Sequence, residues 1–317
     1  MSLVERGGLL AILVVTVVFF CVLPATSGDF ATAANFRNIT SNQVIVGVMA
    51  LGVLFPLILG EFDFSIGLTM ELSVALSAGL IVHNGLPVPV ACLLAIAAGL
   101  GVGAVNGYLV GYCGLNSFIT TFAVSTVLMG IVQLYAGGTS ILIPPSGLTT
   151  FGSTNTYLAG IPASVYALVV VALLVWYLLG HTPVGRYLYA VGSNRSAARL
   201  SGLRVRPMVG LSFVVSGGLA GLAGVLYLAQ QGSSTPNIGS AYVLPTYAAL
   251  FLGATGFKLG VFNVWGTVVA ILFVAAGTTG LVYAGIDPWI QYVFQGGALL
   301  VALGAMALIR RSRSATA

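Results

Sequence analysis

The sequence predicts an all-α polytopic membrane protein of about ten transmembrane helices, and three observations predict it. Of its 317 residues, 58% are hydrophobic and only 5% are charged, where a soluble globular chain carries about 25%. The apolar residues fall in runs that approach or exceed the roughly 20 residues a helix needs to cross a bilayer core. The few basic residues are gathered rather than spread over a surface. Five of the eleven, Arg186, Arg195, Arg199, Arg204 and Arg206, lie in the single stretch 182–206.

On length and hydropathy the spans fall near 7–24, 43–60, 65–82, 88–112, 118–136, 161–180, 208–230, 242–257, 262–284 and 289–309. The first is expected to stay as a helix. Glu5-Arg6 precedes it as in a secretory signal, but the run is long for a signal core and no clear A-x-A site directly follows it. Ten spans with a cytoplasmic N-terminus put Arg6, the arginine-rich stretch, Lys258 and the tail Arg310, Arg311 and Arg313 inside, and leave only Arg37 outside. Nine or eleven spans would put the tail arginines on the wrong side of this positive-inside bias. The whole chain, 1–317, reads as a single transmembrane domain. Its outside connections are short except for 25–42 and an extracytoplasmic loop at 137–160. The latter is rich in Gly, Pro, Ser and Thr and lacks periodicity, which marks a loop as functional or mobile.

The arginine-rich stretch, 184–206 between its flanking spans, cannot lie in lipid, because each arginine costs roughly 2.5–3.5 kcal/mol at a helix centre. It has local order written into it. Ser193 or Asn194 suits a helix N-cap and Gly202 the C′ position. Between them Ala197, Ala198 and Leu200 are apolar, while Arg195 and Arg199 are four apart on one face. So short a helix is marginal alone and needs a surface to pack on. Two readings follow: a solvated charge run that fixes topology, or a docking helix for a cytoplasmic partner.

Glycine carries the packing signal. Gly99, Gly103, Gly107 and Gly111 recur every four residues, and Gly217 and Gly221 repeat the spacing. Such stripes let helix backbones approach closely in a membrane. Asn106 stands beside the first stripe, placed to bond a neighbouring helix or to face a polar cavity. Of the six acidic residues, Glu61, Asp63 and Glu71 fall within eleven positions. Gly60 and Gly67 mark a turn or helix break there, and Asp63 and Ser65 suit caps of the next segment. Glu71, about two turns into an apolar helix, is either part of a transport pathway or a hydrogen-bonded residue in a helix interface.

Several function classes are excluded by what the sequence lacks. It has no G-x-x-x-x-G-K-[ST] phosphate loop, no nucleophile–base constellation, no zinc spacing, no voltage-sensor helix and no TVGYG-like filter. Cys21, Cys92 and Cys113 form no framework, and His83 and His181 are isolated. The membrane's polar inventory is mostly Ser, Thr, Asn, Gln and Tyr, which suits a neutral hydroxylated solute better than an ion. An ion-coupled carrier or channel would need a coupling constellation, for which only Glu71 is a candidate.

Over nearly the whole chain the motifs resemble the membrane-spanning permease of bacterial ABC importers of the ribose/simple-sugar type. That family's Gly-Ile-Asp-Leu-Ser-Val-Gly signature stands here as Glu61-Phe62-Asp63-Phe64-Ser65-Ile66-Gly67. Its Leu-Pro-Val-Pro turn stands as Leu86 to Pro89, its Asn-Gly as Asn106-Gly107 and its Phe-Ile-x-Thr as Phe118 to Thr121. Gly185 to Gly202 is the most specific match, and Trp289 with Gln291 fits the last-helix pattern. Three positions depart: Glu61 where the family usually has Gly, Glu71 where it has a small or apolar residue, and Arg195-Ser196 where acidic residues are common.

The resemblance implies a type II-like ABC importer transmembrane domain working by alternating access in the bacterial inner membrane, with both termini cytoplasmic. It implies a transport subunit rather than an enzyme, with no cofactor of its own. ATP and Mg would sit on a partner ATPase dimer. The other partners implied are a second permease, identical or homologous, and an extracytoplasmic solute-binding protein, with membrane lipid around the chain and no nucleic acid. Arg186, Asn194, Arg195, Ala197, Ala198, Arg199, Leu200 and Gly202 would then couple to the ATPase. Asp63, Ser65, Glu71, Asn106, Phe118 and Thr121 are the pathway candidates; no metal site is expected.

Overall fold

The computed structural model describes residues 3–256 and 260–314; Lys258, counted above as cytoplasmic, lies outside them. In chain order the helices are α1 (Leu3–Val22), α2 (Ser27–Phe30), α3 (Ala33–Ile58), α4 (Ile66–Val82), α5 (Val88–Gly111), α6 (Ser117–Ala136), α7 (Gly147–Gly152), α8 (Ala163–His181), α9 (Pro183–Ser193), α10 (Arg195–Leu200), α11 (Val205–Gln231), α12 (Gly239–Gly253), α13 (Val264–Tyr283) and α14 (Ile290–Ser314). Four two-residue strands join them: β1 (Ile141–Leu142), β2 (Tyr157–Leu158), β3 (Ile161–Pro162) and β4 (Ser233–Ser234).

A helix overlaps each of the ten apolar segments. Among the described residues six helices, α3, α5, α6, α8, α11 and α13, are long and apolar enough to cross a membrane. α4 and parts of α1 and α14 are shorter apolar helices, and α12 is 15 residues long with Pro245 inside it.

Two stretches differ from the sequence expectation. α3 begins at Ala33, ten residues before the predicted span, so most of the supposed polar loop 25–42 is helical. Its polar side chains serve the local backbone. Asn35 Nδ2 donates to Phe30 O at 2.9 Å and Thr40 Oγ1 to Phe36 O at 2.9 Å. Hydropathy detects the part of a helix that lipid or protein covers, not where the helix ends. The segment 137–160 is also built rather than irregular. β1 pairs antiparallel with β4, matching Ile141 to Ser234. β2 and β3 form a small hairpin, and α7 lies so close to α11 that a Cβ on Gly152 would strike the Ala229 carbonyl.

The chain divides into two compact units, 1–50 with 244–317, and 51–243. In the first, α1 packs on α13. Gly280 leaves room for the Phe20 ring, and Phe20, Phe30, Ile39, Ala275 and Ala276 form a core. α12 and α13 touch through Gly253 and Gly266, where a Cβ on either would meet the other's backbone.

In the second unit α11 is central, packed most extensively on α5 and then on α4. The two glycine stripes face each other here. A Cβ on Gly99 would collide with Gly217 O, on Gly103 with Phe213 O and on Gly217 with Gly99 O. On Gly107 it would lie 2.5 Å from Gly210 O, and on Gly111 2.9 Å from Arg206 O. At these glycines there is no room for a side chain. α6 closes the other side of α4 through Leu68, Leu72, Ala75, Leu128 and Val132.

Candidate functional site

The arginine-rich stretch folds as two short helices. α9 starts with Pro183 in its first turn, where a missing N–H costs nothing, and turns Gly185, Leu188 and Val191 inward. Burial pushes the Tyr189 phenol on this helix up to about 12. α10 is capped as its sequence suggests. Asn194 Oδ1 accepts from Ala197 N at 3.0 Å, and Gly202, at φ +86, donates its N–H to Arg199 O. That left-handed conformation favours glycine.

The faces of α10 are unequal. Leu200 is 91% exposed, whereas Ala198 is buried at 5%. Ala197 and Arg199, like Arg186 and Asn194, are exposed. Of the residues expected to couple to an ATPase, Ala198 is turned by the six-residue helix toward its own chain.

Arg195 also turns inward. Its Nη2 donates to Leu59 O at 2.6 Å and to Glu61 Oε1 at 2.5 Å. The side chains of Arg195 and Glu61 are 42% and 12% exposed. Gly192, one turn earlier, sits where a Cβ would strike Ile58 O. The junction of α9 and α10 thus grips the C-terminal end of α3, where carbonyls lack helical partners.

From Glu61 the chain enters a non-helical break. Gly60 takes φ +77 after α3 ends, and α4 starts at Ile66. Asp63 is 1% exposed and accepts hydrogen bonds from two serines. Ser65 Oγ and Ser65 N donate to Oδ1 at 2.6 and 3.1 Å, and Ser216 Oγ of α11 donates to Oδ2 at 2.6 Å. Asn106 Nδ2 of α5 donates to Ser65 Oγ at 2.8 Å, while Asn106 Oδ1 is buried with no hydrogen-bond partner among the described residues. Two hydroxyls of α6 hold the backbone of the break. Ser117 Oγ accepts from Phe62 N at 3.1 Å and Thr121 Oγ1 from Phe64 N at 3.0 Å. Phe118, half exposed, meets the Phe64 ring edge-to-face at 5.0 Å.

The structure therefore brings Asp63, Ser65, Asn106, Phe118 and Thr121 together, all but Phe118 buried. Glu71 stands apart from this group. Its Oε1 accepts from Asn237 N at 2.7 Å and its Oε2 from Gly239 N at 2.9 Å, so it holds the turn that starts α12. Gly67 and Gly239 make that approach close, since a Cβ on either would strike the other's carbonyl. Of the two readings of Glu71, the geometry is that of a hydrogen-bonded residue between segments. No group of three or more His, Cys, Asp or Glu that could hold a metal occurs among the described residues.

Sequence reasoning missed Ser216, Ser117 and Gly192. A lone serine beside Gly217 in an apolar run was a weak signal for Ser216. For Gly192 no local pattern points to Ile58.

The sequence matches, over residues 35–303, the family described as branched-chain amino acid transport system / permease component. The ribose import permease protein of Bacillus subtilis strain 168 is 32% identical over 313 residues, covering 98% of this chain and 94% of the relative. The ribose import permease protein of Escherichia coli strain K12 is 30% identical over 308 residues, with coverage of 95% and 93%. The galactose/methyl galactoside import permease protein of Salmonella typhimurium strain LT2 is 29% identical over 316 residues, with coverage of 94% and 93%. No solved structure matches this chain.

Proposed function

The chain belongs to this family of transport-system permease components, and from that premise we propose that it forms the translocation pathway of an ATP-driven importer for a small neutral hydroxylated solute, a sugar or polyol. Its whole length works as one transmembrane domain of ten spans in the bacterial inner membrane, with both termini in the cytoplasm. Two such permeases, identical or homologous, pair around the pathway. Two ATPase subunits carrying ATP and Mg dock from the cytoplasm, and a solute-binding protein delivers from outside. This chain binds no cofactor and performs no hydrolysis.

The observation that carries this reading is α10. A capped helix in an arginine-rich segment between two long apolar helices presents a leucine with 91% of its surface exposed, next to Arg199. Burying such a side chain against a partner recovers about 1.5–3 kcal/mol, which a purely solvated charge run would forgo. Leu200 and Arg199 are the docking residues, with Ala197 and Arg186 beside them. Asn194 and Gly202 hold the helix in shape, and Ala198 anchors it to its own chain. The sugar class rests on the names of relatives aligned over nearly the whole length. It also rests on a polar interior whose carboxylates, Asp63 and Glu71, are already hydrogen-bonded within the chain. Asp63, Ser65, Asn106 and Thr121 support the pathway wall from behind, and Phe118 is the candidate that reaches it.

Leu200→Asp tests the docking. The variant should reach the membrane normally, since Leu200 touches little of its own chain, yet lose the ATPase or its uptake. ATP-dependent uptake at the wild-type rate would overturn the assignment.

A further inference from the structure

We infer that Glu61 and Arg195 form a clasp, and that it makes the break at 60–65 the joint through which movement of α9 and α10 reaches the membrane helices. The inference rests on the docking role proposed for α10 and concerns what happens on the membrane side of that contact.

Four elements converge on these six residues, each through a different side chain. The α9–α10 junction holds Leu59 and Glu61 through Arg195, with Gly192 seated against Ile58. α6 holds Phe62 and Phe64 through Ser117 and Thr121. α11 holds Asp63 through Ser216, and α5 holds Ser65 through Asn106.

The chemistry of these contacts suits a moving part. A helix resists bending because its backbone bonds are repeated and cooperative. Here the backbone is out of helix, and the N–H groups of Phe62 and Phe64 are met by hydroxyls, which can rotate and exchange partners. Gly60 at φ +77 supplies the swivel. The clasp lies at the rim, half open to solvent on the arginine side, so it binds the break to α10 without being part of the packed core. A displacement of α10 pulls on Leu59 and Glu61 first, and the pull passes to Asp63 and its serine partners. Glu61 and Arg195 are positioning residues in this scheme, because neither meets solute or nucleotide.

The test uses the complete complex of permease, ATPase and binding protein in lipid nanodiscs. Ile119 on α6, 67% exposed and two residues from Ser117 and Thr121, becomes a reporter as Ile119→Cys in a background with Cys21, Cys92 and Cys113 replaced by serine. The readout is its rate of maleimide modification with and without a non-hydrolysable ATP analogue, so no solute need be known. In the parent, nucleotide should change that rate several-fold. In Glu61→Gln and Arg195→Gln the change should vanish while the ATPase stays bound and still hydrolyses ATP. Glu61→Gln/Arg195→Gln should be no worse than the worse single variant, and Arg195→Lys should keep part of the response.

A nucleotide response retained in both glutamine variants would overturn the clasp, as would a parent that gives no response with its ATPase bound. Loss of the ATPase from Glu61→Gln and Arg195→Lys alike would overturn it too, by making the pair a docking or folding contact. A parent that never binds an ATPase contradicts the importer reading itself, which is a separate failure.

Discussion

The seam between α5 and α11 and the break at 60–65 lie in the same unit and are held by opposite means. Along the seam, Gly99, Gly103, Gly107 and Gly217 bring backbone onto backbone, so at these positions contact is made without polar side chains. At the break, hydroxyl and amide side chains of α5, α6 and α11 supply replaceable bonds to its backbone and to Ser65 and Asp63. Packed glycine seams resist change because any shift either collides or opens a void. A polar joint can move from one satisfied arrangement to another at little net cost. On the proposed joint, the closely packed α5 and α11 would shift together, with the break where they meet the arginine-rich helices.

Substitutions on either side sharpen the contrast. The largest effect is expected at the seam. Gly103→Leu would drive a side chain into Phe213 O and cost about 3 kcal/mol, the upper end for overpacking. It should show as a large loss of thermal stability and yield in detergent. Gly101→Leu, on an open face of the same helix with nothing within 4 Å, should be neutral or stabilising by about 0.5 kcal/mol, since it removes only glycine's helix penalty. Equal effects of the two would break the account of the seam. The joint comes next. Asp63→Ala strips the acceptor from Ser65 and Ser216 and should cost about 2 kcal/mol, read as a lower thermal midpoint together with impaired uptake. Glu71→Gln is expected to be milder than Asp63→Ala. It leaves one of the two N–H donors at 237 and 239 facing an amide, a loss of about 1 kcal/mol, with the solute KM unchanged. A shifted KM would return Glu71 to the pathway.

How much of this was legible in the sequence depended on distance along the chain. The ten apolar segments each meet a helix because hydropathy reports directly on what lipid or protein covers. The Asn194 cap and Gly202 turn were readable because both signals are local to α10. α9 was missed although its inward residues, Gly185, Leu188 and Val191, recur every third position. The β1–β4 pairing joins residues far apart in sequence. Glu61 and Arg195 were seen separately as departures from a resembled pattern. Their mutual bond spans 134 positions, and nothing in one sequence links them. Glu71 looked like a lone carboxylate because its partners are backbone amides, which carry no residue signature.

The most direct test of the importer reading is purification of the tagged chain from its native membranes in mild detergent, with its companions identified and quantified. The account predicts an ATPase subunit in stoichiometric amount, retained by Ala197→Ser and lost or weakened in Leu200→Asp. A chain that emerges alone in several detergents and moves solute on an ion gradient without ATP would contradict it.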